Sequence, residues 1–145
     1  MTEAILAPGD VRIVARAEHR EAAIREAGRI LVEAGAVRPD YVDAMLEREQ
    51  TVSTFMGNGL AIPHGTNEAK DSIVRSALSF VRYEEPIDWG GEPVRFVVGI
   101  AGVGDEHLEI LSRIAIIFSD EDEVQRLLGA ASADELVALL SEVNG

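Results

Sequence analysis

The sequence predicts one α/β domain, a mixed β-sheet flanked by helices. Three observations carry that prediction. The chain has 145 residues, enough for one domain with its own core. Hydrophobic residues make up 47% of it and charged residues 27%, the balance of a chain that buries a core rather than one that stays disordered or enters a membrane. The apolar pattern also changes period, helical towards both ends and extended in the middle. Read in order, this is a strand, two helices, about four strands and three helices, which pack as a sheet covered by helices. No repeat, low-complexity tract or linker breaks the pattern, so a single domain is expected over residues 1–145, with an ordered core over about 10–143.

Pro8 and Gly9 mark a loose start, and residues 11–14 read as a short strand. Residues 18–36 carry helical spacing, with Ala23, Ile24, Ala27, Ile30, Leu31 and Ala34 on one face. Gly35 and Pro39 are stop signals. Asp40 is placed to cap a second helix through about Glu49, with Val42, Met45 and Leu46 inward. Residues 51–55 are β-branched and aromatic, Gly57-Asn58-Gly59 signals a turn, and Leu60-Ala61-Ile62 is a short apolar run ending at Pro63-His64-Gly65. Residues 73–83 read as a strand containing Val74, Leu78, Phe80 and Val81, residues 86–93 as a loop between two prolines, and residues 94–101 as a central buried strand. Helical period returns over 106–118, with His107, Leu108, Leu111, Ile114, Ala115 and Phe118 inward. Asp120 opens a short helix ending near Gly129, and Ser132 with Glu135 forms a capping-box pattern before a last helix over 133–143.

Composition narrows the function. A net charge of −13 makes nucleic acid a poor partner and suits a partner with a basic face, although acidity also simply aids solubility. Such steering predicts association rates that fall as salt rises. No apolar run reaches the length of a membrane span, and no basic start precedes an apolar stretch, so a cytoplasmic protein is expected. With no cysteine there is no thiolate chemistry, no disulfide and no cysteine-ligated zinc. Lys70 is the one lysine among 13 basic residues.

The three histidines differ in setting. His19, beside Glu18, Arg20 and Glu21 at a helix start, reads as a solvated surface residue. His64 follows an apolar strand and a proline. Pro63 fixes its own φ and biases Ile62 towards extended backbone, while Gly65 lets the chain turn away. The imidazole is thereby presented in a loop held by a rigid scaffold. From the tripeptide alone, a histidine that merely caps the strand end is an equally good reading. His107, within Gly-Asp-Glu-His-Leu-Glu, reads either as a polar residue of an acidic first turn or as a second imidazole facing the first. Asp105, Glu106, His107 and Glu109 hint at a metal site, but neighbouring helical positions point different ways, and no metal is expected.

Glu49, then Met56-Gly57, then Leu60-Ala61-Ile62-Pro63-His64-Gly65 resembles the phosphohistidine signature of the IIA domains of the mannitol–fructose class. These belong to the phosphoenolpyruvate-dependent sugar phosphotransferase system. Pro63-His64-Gly65-Thr66, Glu68-Ala69-Lys70-Asp71, Val98-Gly99-Ile100-Ala101 and Glu106-His107 look like the mannitol branch, and the likeness runs from Val11 to Leu140. The segment between Tyr83 and Val94 looks shorter than in mannitol proteins.

The resemblance implies a mixed sheet flanked by helices. It implies His64 as the phosphorylated histidine, by Nε2 (tele), with Nδ1 held by a backbone carbonyl. It implies Arg48 as a contact to the phosphoryl group and His107 as a supporting histidine. The implied donor is phospho-HPr, the small histidine carrier protein. The implied acceptor is a cysteine of a IIB domain on a separate IIBC membrane protein, this chain being a free-standing IIA subunit. Those residue types suit the reaction. Phosphoryl transfer asks mainly for positioning and electrostatics, and a neutral imidazole is a nucleophile near neutral pH. A guanidinium forks onto phosphoryl oxygens, and backbone N–H groups near Gly57–Gly59 or at the His107 helix start would add to the cradle. No cofactor is needed. Phe55, Met56, Leu60 and Ile62 are candidates for an apolar docking rim, or for core. A regulatory IIA-like protein, whose phosphorylation state controls a binding partner, is the alternative. A hydrolase built on His64 finds no serine elbow or metal-ligand helix.

Overall fold

The computed structural model, which describes residues 5, 6 and 8–140, follows that order. Strand β1 (Val11–Val14) leads into helices α1 (Arg20–Glu33) and α2 (Asp40–Thr51). Strands β2 (Phe55–Gly57), β3 (Leu60–Ala61), β4 (Ala77–Trp89) and β5 (Glu92–Ala101) follow, then helices α3 (Glu106–Ser119), α4 (Glu121–Gly129) and α5 (Ala133–Leu139). The strands form one five-stranded sheet in the order β1-β4-β5-β3-β2. It is mixed: β1 pairs parallel to β4 and β3 parallel to β5, while β4–β5 and β2–β3 are antiparallel.

Alternation along β4 and β5 sends their side chains to two cores. Leu78, Phe80, Phe96, Val98 and Ile100 join the inward faces of α3, α4 and α5. Ala77, Val81, Tyr83, Val97 and Ala101 join α1 and α2. The result is a sheet between two helical layers. On the α3 side Phe96 packs edge-on to Phe118 at 5.2 Å and lies 5.8 Å from Phe80, ring centroid to centroid.

Several boundaries move, each for a local reason. Helix α1 begins at Arg20 because His19 is its N-cap, its Nδ1 accepting from the Ala22 N–H at 3.2 Å. It ends in a Schellman turn, with Gly35 at φ +75° and the Ala36 N–H returning to the Leu31 carbonyl at 3.0 Å. Asp40 does not cap α2. It sits in the first turn, after Pro39, and accepts from the Ser72 hydroxyl at 2.8 Å. Residues 73–76 are not in the strand: Val74 is 63% exposed, and its N–H and that of Arg75 bind the Ala36 carbonyl instead.

The expected loop over 86–93 is a hairpin. Ile87 pairs with Val94 and Trp89 with Glu92, and a register shift between Arg82 and Ile87 accommodates Pro86. Gly90 and Gly91 both take positive φ (+66° and +99°), as a two-residue hairpin turn requires. Helix α3 is turned from the expected face: Ile110, Ile114, Ile117 and Phe118 are buried, whereas Leu108 and Ala115 are exposed. The helix carries apolar residues on several sides, so spacing alone cannot choose its inward stripe. Ser132 caps α5 as expected, while Glu135 reaches back to the Ala131 N–H at 2.7 Å. The expected extension of α5 over 141–143 lies outside the described residues.

Helix α1 lies against β5 at Gly99, where a Cβ would stand 2.5 Å from Ser79 Oγ and 3.1 Å from Ala27 Cβ. Gly99→Ala is expected to lower stability by about 1–3 kcal/mol by forcing the layers apart, read as a lower urea midpoint at unchanged slope. An unchanged midpoint would show that α1 can shift at no cost.

Candidate functional site

The site forms where β3 and β5 end beside α2. Beyond Ala61 the chain stays against β5: the Ile100 N–H donates to the Pro63 carbonyl at 3.0 Å and His64 bridges to Ile100. From α2 the buried Tyr41 locks this segment. Its hydroxyl donates to the Ile100 carbonyl at 2.8 Å and accepts from the Gly65 N–H at 2.9 Å. A Cβ on Gly65 would stand 2.5 Å from the Tyr41 ring, so the close approach requires glycine. Burial raises the pKa of Tyr41, against the opposing pull of the Gly65 N–H, and the phenol remains a donor at neutral pH.

The His64 ring is oriented by its own loop. Nδ1 lies 2.8 Å from the Ile62 carbonyl oxygen. A carbonyl only accepts, so Nδ1 carries the proton and Nε2 keeps its lone pair. The His107 ring stands 5.1 Å away, centroid to centroid, tilted by 58°. It arrives there because β5 turns straight into α3 through Gly102, where a Cβ would come within 2.5 Å of His107 Cα. Arg48, from the last turns of α2, donates to the Val52 carbonyl at 2.8 Å. All three line one cavity of about 680 Å³, together with Tyr41, Lys70 and Asp105.

Burial lowers the pKa of His64 below the ordinary histidine value of about 6.5. The charge of Arg48 lowers it too, while the Ile62 carbonyl and the charge of Glu49 act the other way. His107 is lowered by burial first, then by His64 and by Lys70. Two neutral imidazoles therefore face a cleft that also holds a guanidinium and an ammonium group. One of them offers a free lone pair at Nε2. This arrangement can attack an electrophile that carries negative charge, and stabilise that charge once it has arrived.

The structure thus brings together His64, His107 and Arg48, the residues singled out from sequence, and leaves His19 on the surface as a helix cap. The expected apolar rim is only partly right. Leu60 and Ile62 are core residues, whereas Met56 is 53% exposed and Leu108, which lines the cavity, is 65% exposed. Tyr41 and Gly102 escaped the sequence reading, since an isolated tyrosine and one more glycine carry no local signal. The carboxylates near His107 do not converge: Glu109 pairs with Arg113 at 4.0 Å. Among the described residues no group of three or more His, Asp or Glu side chains is arranged to hold a metal ion.

Residues 4–143 match the family model described as "Phosphoenolpyruvate-dependent sugar phosphotransferase system, EIIA 2". A mannitol-specific phosphotransferase enzyme IIA component from Halalkalibacterium halodurans is 52% identical over 144 residues, covering 99% of both chains. A protein of the same description from Bacillus subtilis is 45% identical over 141 residues, covering 97% of this chain and 99% of the relative. Among solved structures, the complex of enzyme IIAMTL with phosphorylated enzyme IIBMTL from Escherichia coli superposes with a TM-score of 0.87. Its identity is 36%, over 93% of this chain and 96% of that one.

Two measurements check this geometry. In a proton NMR titration both His64 and His107 are expected to titrate below about 6.5, and Arg48→Gln is expected to raise the His64 midpoint, because the guanidinium lowers it. As pH falls from about 6.5, the unfolded chain takes up these protons first, so the two histidines withdraw stability until their folded midpoints are passed. A His64 midpoint that drops in Arg48→Gln would contradict the assignment. Separately, Tyr41→Phe is expected to cost about 1–3 kcal/mol and to speed amide exchange at Gly65. Unchanged exchange there would show that another group holds the loop.

Proposed function

The chain belongs to the EIIA 2 family of the phosphoenolpyruvate-dependent sugar phosphotransferase system, and we propose that it carries a phosphoryl group on His64 Nε2 during uptake of mannitol. The observation that carries this reading is the Nδ1 contact to the Ile62 carbonyl. It leaves Nε2 as the only nucleophilic nitrogen of a neutral ring. The donor is phospho-HPr. The His64 Nε2 lone pair attacks phosphorus, the N–P bond of the donor phosphohistidine breaks, and the donor imidazole leaves with the electron pair. The acceptor is a cysteine of a IIB component, and the complex of enzyme IIAMTL with phosphorylated enzyme IIBMTL supports a IIB partner. Its thiolate attacks the same phosphorus, the Nε2–P bond breaks, and Nε2 recovers its lone pair. The proton stays on Nδ1, hydrogen-bonded to the Ile62 carbonyl, throughout, so the His64 ring neither gains nor loses a proton in either step.

Arg48 meets the phosphoryl oxygens with a planar fork of donors, and His107 supports the same oxygens from the other side of the cleft. Because the transition state is loose, this positioned charge is most of what the protein contributes. Exposed Leu108 and Val103 beside the cleft suit partners that dock briefly over one imidazole in turn. A separate IIBC protein would carry the acceptor, with this chain acting in the cytoplasm. Among the described residues no helix is long and apolar enough to cross a membrane.

The deciding experiment is intact mass after incubation with phosphoenolpyruvate, enzyme I and HPr, for wild type and His64→Ala. One acid-labile phosphoryl group is expected on wild type and none on the variant, with a phosphorus NMR signal of the Nε2 isomer and discharge on adding mannitol IIB. No added mass while HPr is charged would sink the reading. Charging without discharge to IIB, with one form alone binding a regulator, would favour the regulatory alternative.

A further inference from the structure

Glu49 follows Arg48 in the chain but points into the protein and is only 6% exposed. Both of its oxygens are occupied. The Thr54 N–H donates to each at 3.1 Å, the Thr54 hydroxyl donates to Oε2 at 2.5 Å, and the Trp89 indole N–H donates to Oε1 at 2.6 Å. These partners are an amide, a hydroxyl and an indole, none of them a cation. A carboxylate buried on neutral donors is costly, and a hydrophobic side chain of similar volume would serve packing alone at less expense. Packing alone does not account for it, and its most direct effect is to fix the donors that surround it.

Two chains of hydrogen bonds leave the turn that Glu49 holds. In one, the Thr54 carbonyl accepts from the Ile62 N–H at 3.1 Å, and the Ile62 carbonyl holds His64 Nδ1 at 2.8 Å. In the other, the Val52 carbonyl, two residues before Thr54, holds the Arg48 guanidinium at 2.8 Å. Trp89 is 1% exposed at the end of β4, so the carboxylate is itself fixed to the sheet. We propose that Glu49 is a positioning residue of the phosphoryl pocket. Through the Thr54 turn it sets the orienting carbonyls of both His64 and Arg48, with Trp89 as its anchor. The proposal rests on the phosphocarrier reading above.

The test compares the full-length wild type with Glu49→Gln, Trp89→Phe and Thr54→Val, using His64→Ala as the uncharged control. In Glu49→Gln an amide NH2 replaces one acceptor oxygen and meets N–H donors, so at least one bond must open. Phosphoryl transfer from phospho-HPr at saturation is expected to slow by roughly 10- to 100-fold, with the donor KM nearly unchanged. The side-chain NMR signals of Arg48 Nε–H and His64 Nδ1–H should both move. Trp89→Phe and Thr54→Val should show smaller changes in the same direction, and they decide the matter if Glu49→Gln does not fold. Transfer at the wild-type rate, or slower transfer with both NMR signals unmoved, would overturn the proposal while the phosphocarrier reading stands. A wild type that takes no phosphoryl group from charged HPr would overturn both.

Discussion

The hydroxyl of Tyr41 is the contact on which the rest of the site depends. It joins α2 to the end of β5 through the Ile100 carbonyl and to the histidine loop through the Gly65 N–H. One helix is thereby held across the carboxyl ends of two neighbouring parallel strands, where open α/β sheets present their ligands. The same helix carries Arg48 and Glu49 two turns further on. A guanidinium and an imidazole that belong to different elements can then keep one relative position. Glycine at 65 and at 102 makes this possible, because a methyl group at either place would displace Tyr41 or α3.

Charge is distributed against the grain of the chain. The net charge is −13, yet the cleft, which Glu47 and Asp105 also line, holds Arg48 and Lys70 around two imidazoles that burial keeps neutral. A phosphoryl group entering such a cleft finds a guanidinium and an ammonium group within it, while the nucleophile does not first have to lose a proton. The two properties come from different sources. The cations are local side chains, and the neutrality follows from desolvation by the packed ends of β3, β5 and α3.

Much of the fold was legible because its signals are local. Residues 11–14, 94–101 and the five helices show through period, caps and breakers, and the strand–helix order follows from them. The misreadings have one cause in common, a competition that sequence spacing does not record. Pro86 looks like a loop residue until the register shift in β4 accommodates it and Gly90–Gly91 closes the hairpin. Helix α3 offers apolar residues on several sides, and only the sheet selects the Ile110–Ile114–Phe118 stripe. Val74 has a strand former's side chain but lies next to a carbonyl, that of Ala36, which captures its N–H.

The sequence by itself determined the α/β class, the family signature around His64 and the residue types that phosphoryl transfer requires. Those depend on spacing along the chain, which a linear reading measures directly. Only the tertiary structure decided that His107 stands 5.1 Å from His64, that Ile62 leaves Nε2 as the free nitrogen, that Tyr41 bonds to the end of β5, and that Trp89 bonds to Glu49. These contacts join residues up to 59 positions apart. Their partners are chosen by how the helices settle on the sheet, a choice made by packing and desolvation.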